Sequence, residues 1–353
     1  MQSPRAKSQE VQAKALNDRG DVVGFADSNN GSGKIHAILW KGGKAAGAVD
    51  LGVLPGYIAS EAYGINNSRV VFGLLYDKKE RTVPFRWEDG RMTVLKGPNG
   101  RLLHSENPGA GGRNAINARG EMTWTMIVDG NRRAVRWTPD GTATFLPGLP
   151  GHKWTDVFGI NDAGIVSGWS RKLPNEDGEE NPVLWTRDGK VVAMKTVRGQ
   201  SDGIAEATNS SGLTVGYLGN QIEGVPERDQ FAVWSSRTAA PKLLGPFRDN
   251  VVAEFADVND RGEAIGMTGT INPKTGFISG AHAIVWRPGW KQVRQLAVPA
   301  ASRKANPVLL PALNDVNEHG AIVGTIYGLT ANEFSALRRI DPVLWTCQFG
   351  GQG

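Results

Sequence analysis

The sequence predicts an all-β protein, a seven-bladed β-propeller made of four-stranded antiparallel blades. Two observations lead to this prediction. A turn motif centred on Asn, such as "NDRG" or "NDAG", occurs seven times, and a short apolar run ending in Trp occurs seven times in alternation with it. Repeats of about 40–50 residues that contain several short strands are typical of propeller blades. We therefore expect one repeated domain over residues 1–353 rather than two or three unrelated domains.

The Asn of the turn motif marks each repeat, and we call it the anchor Asn. Successive anchors are 44 to 58 residues apart, and each is followed by its Trp marker. The anchors are Asn17, Asn66, Asn117, Asn161, Asn209, Asn259 and Asn317. The Trp markers are Trp40, Trp87, Trp137, Trp185, Trp234, Trp286 and Trp345, and their regular spacing favours packing between blades.

Each repeat contains four candidate strands. The first ends at the anchor, as in "EAYGIN", and a tight turn follows in which Asn or Asp caps the turn and Gly takes a positive φ. The second strand is a run such as "DVVG", the third carries the Trp, and a "DG" or "GG" turn leads to the fourth. No stretch has a sustained 3.6-residue apolar period, so we expect few helices. Eight residues follow Trp345, so the last blade has three strands or takes an outer strand from Gln2–Gln9.

Composition excludes several classes of protein. With 40% hydrophobic and 21% charged residues the chain is a folded globular protein, and its net charge of +5 is scattered without a basic run, so we expect no nucleic-acid partner. Cys347 is the single cysteine and excludes an intrachain disulfide. No apolar run approaches the roughly 20 residues of a membrane span, and the N-terminus lacks the apolar region of a signal peptide. We expect a monomer.

The third strands of two repeats begin with His36-Ala37-Ile38 and His282-Ala283-Ile284, and each follows a segment close to the half-motif "IN..G.vvG", here "LNDRGDVVG" and "VNDRGEAIG". In these motifs the chain from Ala13 to Trp345 resembles the HAF-repeat proteins of bacteria. The resemblance implies a β-propeller of secreted or periplasmic location and no defined activity. Because this sequence lacks a signal peptide, a cytoplasmic location is the alternative. We expect the two repeat histidines to be structural hydrogen-bonding groups rather than metal ligands.

The expected topology gives the two faces of the propeller different loops. The turns after the anchor and after the Trp are short and share one face. The opposite face carries the long connections, such as "SRKLPNEDGEEN" and "YGLTANEFSALRRID". Long loops on a rigid frame are the usual place of binding and catalysis, so we expect the functional site on this face.

Three further Trp residues are candidates for ligand binding on that face: Trp124, Trp154 and Trp169. Trp124 stands where the other repeats have Gly, and Lys153, His104 and His152 belong to the same sector. Aromatic rings beside a few polar groups often hold a sugar or another flat ligand. The alternative is that these rings fill gaps between blades.

Three carboxylates, Glu61, Asp156 and Glu254, each stand five residues before an anchor. Such a set at the channel mouth would suit a divalent cation or a basic ligand, or would supply a general acid or base. The alternative is a solvated polar rim. We expect no other cofactor and no dedicated metal centre. Arg69 replaces the usual turn Gly, and we expect Asn67 to take the left-handed conformation there instead.

The sequence thus leaves its functional class open. The first hypothesis is a binding or interaction module with a pocket for a glycan or a small aromatic metabolite. The alternative is an enzyme, a lyase, hydrolase or cyclase, in which His104 or His152 forms an acid–base pair with a carboxylate such as Asp156. The third hypothesis is a purely structural surface protein. A His and a carboxylate within hydrogen-bond distance in a cleft would favour the enzyme, and an aromatic cleft without such a pair would favour the binding module.

Overall fold

The computed structural model describes residues 11–27, 34–105, 115–172, 179–200, 202–219, 229–244, 251–271, 278–297, 308–329 and 337–346. These residues form an all-β structure, as predicted. Their strands make seven antiparallel sheets, five with four strands and two with three. The helical segments among them are three-residue 3-10 turns at Lys41–Gly43, Ala45–Gly47 and Pro98–Gly100. None is long and apolar enough to span a membrane.

The strands follow one another in sequence order within every sheet. The first sheet contains β1 (Val11–Leu16), β2 (Val22–Asp27), β3 (Ile35–Trp40) and β4 (Ala48–Gly52), and the second contains β5 (Ala59–Ile65), β6 (Val71–Tyr76), β7 (Thr82–Glu88) and β8 (Arg91–Val94). The third contains β9 (Met122–Val128), β10 (Asn131–Trp137) and β11 (Ala143–Phe145), and the fourth contains β12 (Trp154–Ile160), β13 (Val166–Arg171), β14 (Asn181–Trp185) and β15 (Val191–Ala193). The fifth contains β16 (Asp202–Thr208), β17 (Thr214–Gly219), β18 (Gln230–Trp234) and β19 (Lys242–Leu244). The sixth contains β20 (Val251–Val258), β21 (Ala264–Ile271), β22 (Ile278–Trp286) and β23 (Arg294–Gln295), and the seventh contains β24 (Val308–Val316), β25 (Ala321–Leu329) and β26 (Leu337–Thr346).

The seven anchor Asn residues form a closed ring of hydrogen bonds, which we call the Asn ring. The side-chain amide of each anchor donates to the main-chain oxygen of the anchor in the next sheet, at 2.7–3.2 Å. Asn317 donates to Asn17 and so joins the last sheet to the first. The seven sheets therefore surround one axis, and this arrangement is consistent with seven propeller blades. Whether Gln2–Gln9 complete the last sheet lies outside the described residues.

The Trp markers pack between neighbouring sheets, as their spacing predicts. Trp137, Trp185 and Trp234 are fully buried, and each indole N–H donates at 2.7 Å to a main-chain oxygen in the segment that follows the last strand of the preceding sheet. Trp40 and Trp286 are also buried, whereas Trp87 is half-buried. The side chain of Trp345 lies outside the described residues. The large rings thus fill the space between sheets, and their N–H groups tie one sheet to the next.

The second strand of most repeats contains a Gly that is required by close backbone approach. A Cβ on Gly168 would lie 1.9 Å from the main-chain oxygen of Asp156 on the first strand. Gly24 and Gly266 stand equally close to the first strands of their own sheets. The repeated Gly therefore lets a β-bulge of the first strand lie directly against the second strand.

The turn at Arg69 differs from its prediction. Arg69 itself has a φ of 61°, close to the 73° of Gly20 at the same place in the first repeat, so the expectation that Asn67 takes this conformation is wrong. Positive φ costs a non-Gly residue about 1 kcal/mol. The Arg69 guanidinium donates to the buried carboxylate of Asp21 at 2.7 Å. This ion pair between neighbouring sheets offsets the strain of the turn.

Glu121 provides a test of the ionic contacts beside the Asn ring. Its buried carboxylate accepts from Asn117, Arg119 and Arg136, each at 2.7 Å. Burial raises its pKa, but these hydrogen bonds outweigh burial and lower the pKa to about 2. Because the folded pKa lies below the unfolded value, the stabilisation is present above pH 4.5 and is lost as pH falls towards 2.

We expect Glu121→Gln to lower the free energy of unfolding by about 2 kcal/mol at pH 7. Urea unfolding at pH 7 and at pH 2.5 measures this difference, which should shrink at the lower pH because the native carboxylate is then partly protonated. Equal stability at pH 7, or a difference that does not change with pH, would contradict this account of the contact.

Candidate ligand site between the third and fourth sheets

The candidate site lies at the end of the sheets away from the Asn ring, where the chain passes from the third sheet to the fourth. The linker Pro147–Lys153 is fixed there by main-chain contacts. Leu149 N–H donates to Ser170 Oγ at 3.1 Å, and Lys153 N–H donates to the main-chain oxygen of Arg171 at 3.1 Å. A Cβ on Gly148 would lie 2.7 Å from the main-chain oxygen of His152, so the linker passes too close for a side chain at this position.

A cleft of about 290 Å³ opens beside this linker. Its lining residues come from both sheets and from the linker, and none of them is acidic. They are Asn131, Arg133, Leu146, Pro147, Gly148, His152, Lys153 and Thr155. The Arg133 guanidinium stands 4.4 Å from the centre of the Phe145 ring, and Lys153 is exposed to solvent. The cleft therefore presents two cations and a histidine without a carboxylate among its walls.

His152 is held in a fixed position at the edge of the cleft. Its Nδ1 lies 2.9 Å from the hydroxyl of Ser170, which is fully buried on β13. Burial lowers the pKa of His152, and the nearby charge of Lys172 lowers it further, although a hydrogen bond to the main chain of Ser170 opposes both. The imidazole is therefore neutral at pH 7.

Trp154 joins the cleft to a second polar group. Its indole N–H donates to Asn131 Oδ1 at 3.2 Å, and its ring stands 5.1 Å from the Arg171 guanidinium. Trp169, two residues before Arg171 on β13, lies 5.1 Å from the same guanidinium. We call Trp154, Arg171 and Trp169 the Arg clamp. In it a planar cation is held against two aromatic rings, a favourable cation–π arrangement.

One nitrogen of the Arg clamp guanidinium lacks a hydrogen-bond acceptor. The Arg171 side chain is only 8% exposed, and its buried Nε makes no hydrogen bond to any described residue. The Glu180 carboxylate lies 3.8 Å from Nη1, beyond hydrogen-bond distance. A buried donor without an acceptor is costly, so this cation is well placed to receive an anionic group.

The two acidic residues near the cleft, Asp156 and Glu180, differ in their ion pairing and in their protonation. Asp156 is buried and is held by Arg132 at 2.5 Å and by the Thr125 hydroxyl. Burial raises its pKa, and the charge of Arg132 opposes that rise. Burial and the neighbouring Asp202 raise the pKa of Glu180 to about 7, against the opposing charge of Arg171. Asp156 is thus committed to an internal ion pair, whereas Glu180 changes protonation near neutral pH.

The structure brings together five of the predicted site residues: Trp154, Trp169, Lys153, His152 and Asp156. Trp124 lies elsewhere. It is 1% exposed and packs against Tyr63, 4.8 Å away, and Phe72, 5.3 Å away, in the core between the second and third sheets. The Trp124 ring therefore fills a gap between sheets, the alternative reading of the pattern, and we leave it out of the site.

The remaining predicted residues are also placed apart from the cleft. Glu61 accepts from the hydroxyl groups of Tyr63 and Tyr76 in the second sheet, and Glu254 lies on β20 in the sixth sheet. His104 lies in the linker between the second and third sheets, and its buried Nδ1 makes no hydrogen bond to any described residue. Among the residues described, no group of three or more His, Cys, Asp or Glu residues is placed to hold a metal ion.

The repeat histidines behave as predicted. His36 Nδ1 lies 2.9 Å from Asp50, and His282 Nδ1 lies 2.6 Å from Gln295, each across to the fourth strand of its own sheet. In the described part of the chain no contact joins His104 or His152 to a carboxylate. The His/carboxylate pair of the enzyme hypothesis is therefore not observed at these positions.

Sequence reasoning missed Arg133, Arg171, Ser170 and Glu180. The only available signal was alternation along a strand, because Trp169 and Arg171 are two residues apart on β13 and so share a face. The predicted long loops are described only in part. The connections between second and third strands are tight turns in the second and third sheets, and segments such as 173–178 and 220–228 lie outside the described residues.

Comparison with solved structures identifies the fold. No protein-family model matches the chain, and no curated protein matches its sequence. Several solved β-propellers share its fold. The β-propeller domain of the Trilobed protease from Pyrococcus furiosus has a TM-score of 0.58 at 10% identity, covering 96% of this chain and 95% of that one.

Two further neighbours are oligogalacturonate lyases. The enzyme from Vibrio parahaemolyticus has a TM-score of 0.55 at 11% identity, with 92% of this chain and 88% of that one covered. An oligogalacturonate lyase in complex with manganese has a TM-score of 0.53 at 13% identity, with 89% and 84% covered. These likenesses establish a β-propeller fold. The HAF-repeat resemblance rests on the sequence motifs alone.

Proposed function

We propose that the protein is a seven-bladed β-propeller that binds a small polar ligand, a glycan in the first place, in the cleft between its third and fourth blades. The observation that supports this proposal is the cleft itself. It is formed by β10, β12 and a linker that hydrogen bonds hold against β13, it has hydrogen-bond donors from Arg133, His152 and Lys153, and the aromatic Trp154 stands beside it. Concave sites that combine a few fixed polar groups with an aromatic ring are typical of ligand binding.

The binding hypothesis is preferred to the enzyme because no His/carboxylate pair supports acid–base chemistry at the cleft. One observation keeps the enzyme as the second candidate. Glu180 has a pKa of about 7 beside the Arg clamp, and a carboxyl group that titrates near neutrality suits a general acid or base. Release of shortened or unsaturated products from an oligosaccharide bound at this site would favour the enzyme, and intact recovery of the ligand would favour the binding protein.

We expect Trp154→Ala to weaken glycan binding about tenfold, because the loss of one aromatic contact of about 1.4 kcal/mol changes affinity by that factor. The experiment is a screen of neutral and acidic glycans on the wild-type protein, followed by calorimetry of the best ligand. Trp290→Ala is the matched control, because Trp290 is a half-buried Trp of the sixth blade that packs against Arg294. Equal affinity in wild type and Trp154→Ala, or binding of no glycan at all, would contradict the proposed function.

A further inference from the structure

We infer that the ligand is an acidic saccharide, and that the cleft between the third and fourth blades holds one of its anionic oxygen groups, a carboxylate or a sulfate ester, through Arg133, Lys153 and His152. This inference rests on the proposed function and names the class of its ligand. Three independent features of the site support it: an unbalanced positive charge, a histidine fixed as a donor, and a second buried cation beyond Trp154.

The positive charge of the cleft has no counterpart in its walls. Within the described residues neither Arg133 nor Lys153 makes an ion pair, and none of the eight lining residues is acidic. The carboxylate that follows on β12, Asp156, is already bound to Arg132 and Thr125. Cations gathered in a concave site with no internal acid produce a positive potential that attracts anions. Arg in particular offers a planar fork that matches a carboxylate or sulfate.

Ser170 makes His152 a donor rather than an acceptor towards the cleft. The Ser170 oxygen accepts from Leu149 N–H, and among the described residues His152 Nδ1, 2.9 Å away, is the one recorded contact of Ser170 Oγ that can accept its hydroxyl hydrogen. A neutral imidazole that accepts at Nδ1 carries its hydrogen on Nε2. We assign that tautomer to His152. The cleft then presents hydrogen-bond donors from all three side chains, as an anionic oxygen group requires.

The Arg clamp extends this pattern beyond a single anionic group. Asn131 lines the cleft and also holds the Trp154 indole, and the Trp154 ring in turn contacts the Arg171 guanidinium. A ligand that lies in the cleft and continues across Trp154 would bring a second anionic group towards the unpartnered Nε of Arg171. An acidic oligosaccharide has two anionic groups separated by sugar rings, so one anionic group would lie in the cleft, a ring beside Trp154 and the second anionic group near Arg171.

The test is calorimetry of the full chain with three probes: digalacturonate, its dimethyl ester and lactose sulfate. We expect digalacturonate or lactose sulfate to bind, and the uncharged ester to bind at least 30-fold more weakly than digalacturonate. Which acidic probe binds more tightly distinguishes a carboxylate from a sulfate ester. Equal affinity for digalacturonate and its ester would overturn the inference and leave the proposed function standing. Binding of neutral glycans alone in the wider screen would do the same.

A second measurement tests the role of Ser170 as a positioning residue. Imidazole nitrogen chemical shifts of His152 report its tautomer, and we expect the Nε2–H form in the wild-type protein and a mixture of forms in Ser170→Ala. The substitution should weaken binding of the acidic probe about fivefold and leave the weaker binding of the ester unchanged. An Nδ1–H tautomer in the wild-type protein, or equal loss of affinity for both probes, would contradict this part of the inference.

Discussion

The double variant Arg133→Ala/Lys153→Ala is expected to bind an acidic disaccharide at least 100-fold more weakly than the wild-type protein. Hydrogen bonds to charged groups contribute about 1.5–3 kcal/mol each, and about 1.4 kcal/mol changes affinity tenfold. Both side chains line the cleft and neither makes an ion pair within the described residues, so their removal leaves no buried charge behind. The loss should therefore appear mainly in affinity, while the free energy of unfolding falls by no more than about 1 kcal/mol because the contact between Arg133 and the Phe145 ring is removed.

Calorimetry of both proteins, with thermal unfolding of each, measures this effect. The control is Arg91→Ala/Lys190→Ala, which removes the same charge from exposed positions on β8 and near β15. We expect the control to change affinity less than threefold, because distant exposed charges are screened by salt. Comparable losses in the two double variants would mean that only the net charge matters, and the cleft would then not be the site.

Asn209→Ala is expected to lower the free energy of unfolding by about 3–4 kcal/mol, because several buried hydrogen bonds of about 1 kcal/mol are lost and a main-chain oxygen is left unsatisfied. Asn209 Oδ1 accepts from Ser211 N–H, Leu213 N–H and the Ser211 hydroxyl, and the amide donates to Asn259 at 3.0 Å. The substitution therefore removes both a turn cap and one link of the Asn ring.

Two further variants separate these contributions. Asn209→Asp keeps the acceptor oxygen of the turn but cannot donate to Asn259, and at pH 7 it adds a buried negative charge. Its cost, which we expect to be at least about 2 kcal/mol, is therefore an upper limit on the contribution of the Asn ring. Asn181→Ala is the matched control, because Asn181 is half-buried at the start of β14 and makes no side-chain hydrogen bond in the described structure. Urea unfolding of the three variants gives the comparison. A loss for Asn209→Ala no greater than that for Asn181→Ala would contradict the role of the ring.

The fold could be predicted because the same local requirement recurs in every repeat. Three residues recur for this reason: an Asn that caps its turn, a Trp that fills the space between sheets and a Gly that admits the bulged first strand. Their repetition can be recognised in the sequence. Arg69 shows the limit of this reasoning. Its positive φ is stabilised by Asp21 of the preceding sheet, and a contact between two repeats cannot be seen in the pattern of one.

The site could be predicted only in part for a similar reason. His152 and Lys153 end the linker and Trp154 begins β12. Because these three residues are consecutive in the sequence, they must also lie close together in the structure. Arg133 and Ser170 belong to different sheets, and only the packing of the third sheet against the fourth brings them to the same linker. Trp124 was misleading because a Trp in place of Gly suits the core between two sheets as well as a ligand site.

A crystal structure of the protein with digalacturonate tests the central claim most directly. We expect one carboxylate of the ligand within about 3 Å of the Arg133 guanidinium and the Lys153 ammonium group, as charge-assisted hydrogen bonds require. We also expect a sugar ring beside Trp154. A ligand bound on the face of the Asn ring, or held in the cleft through its neutral hydroxyl groups with its carboxylates turned to solvent, would contradict the claim.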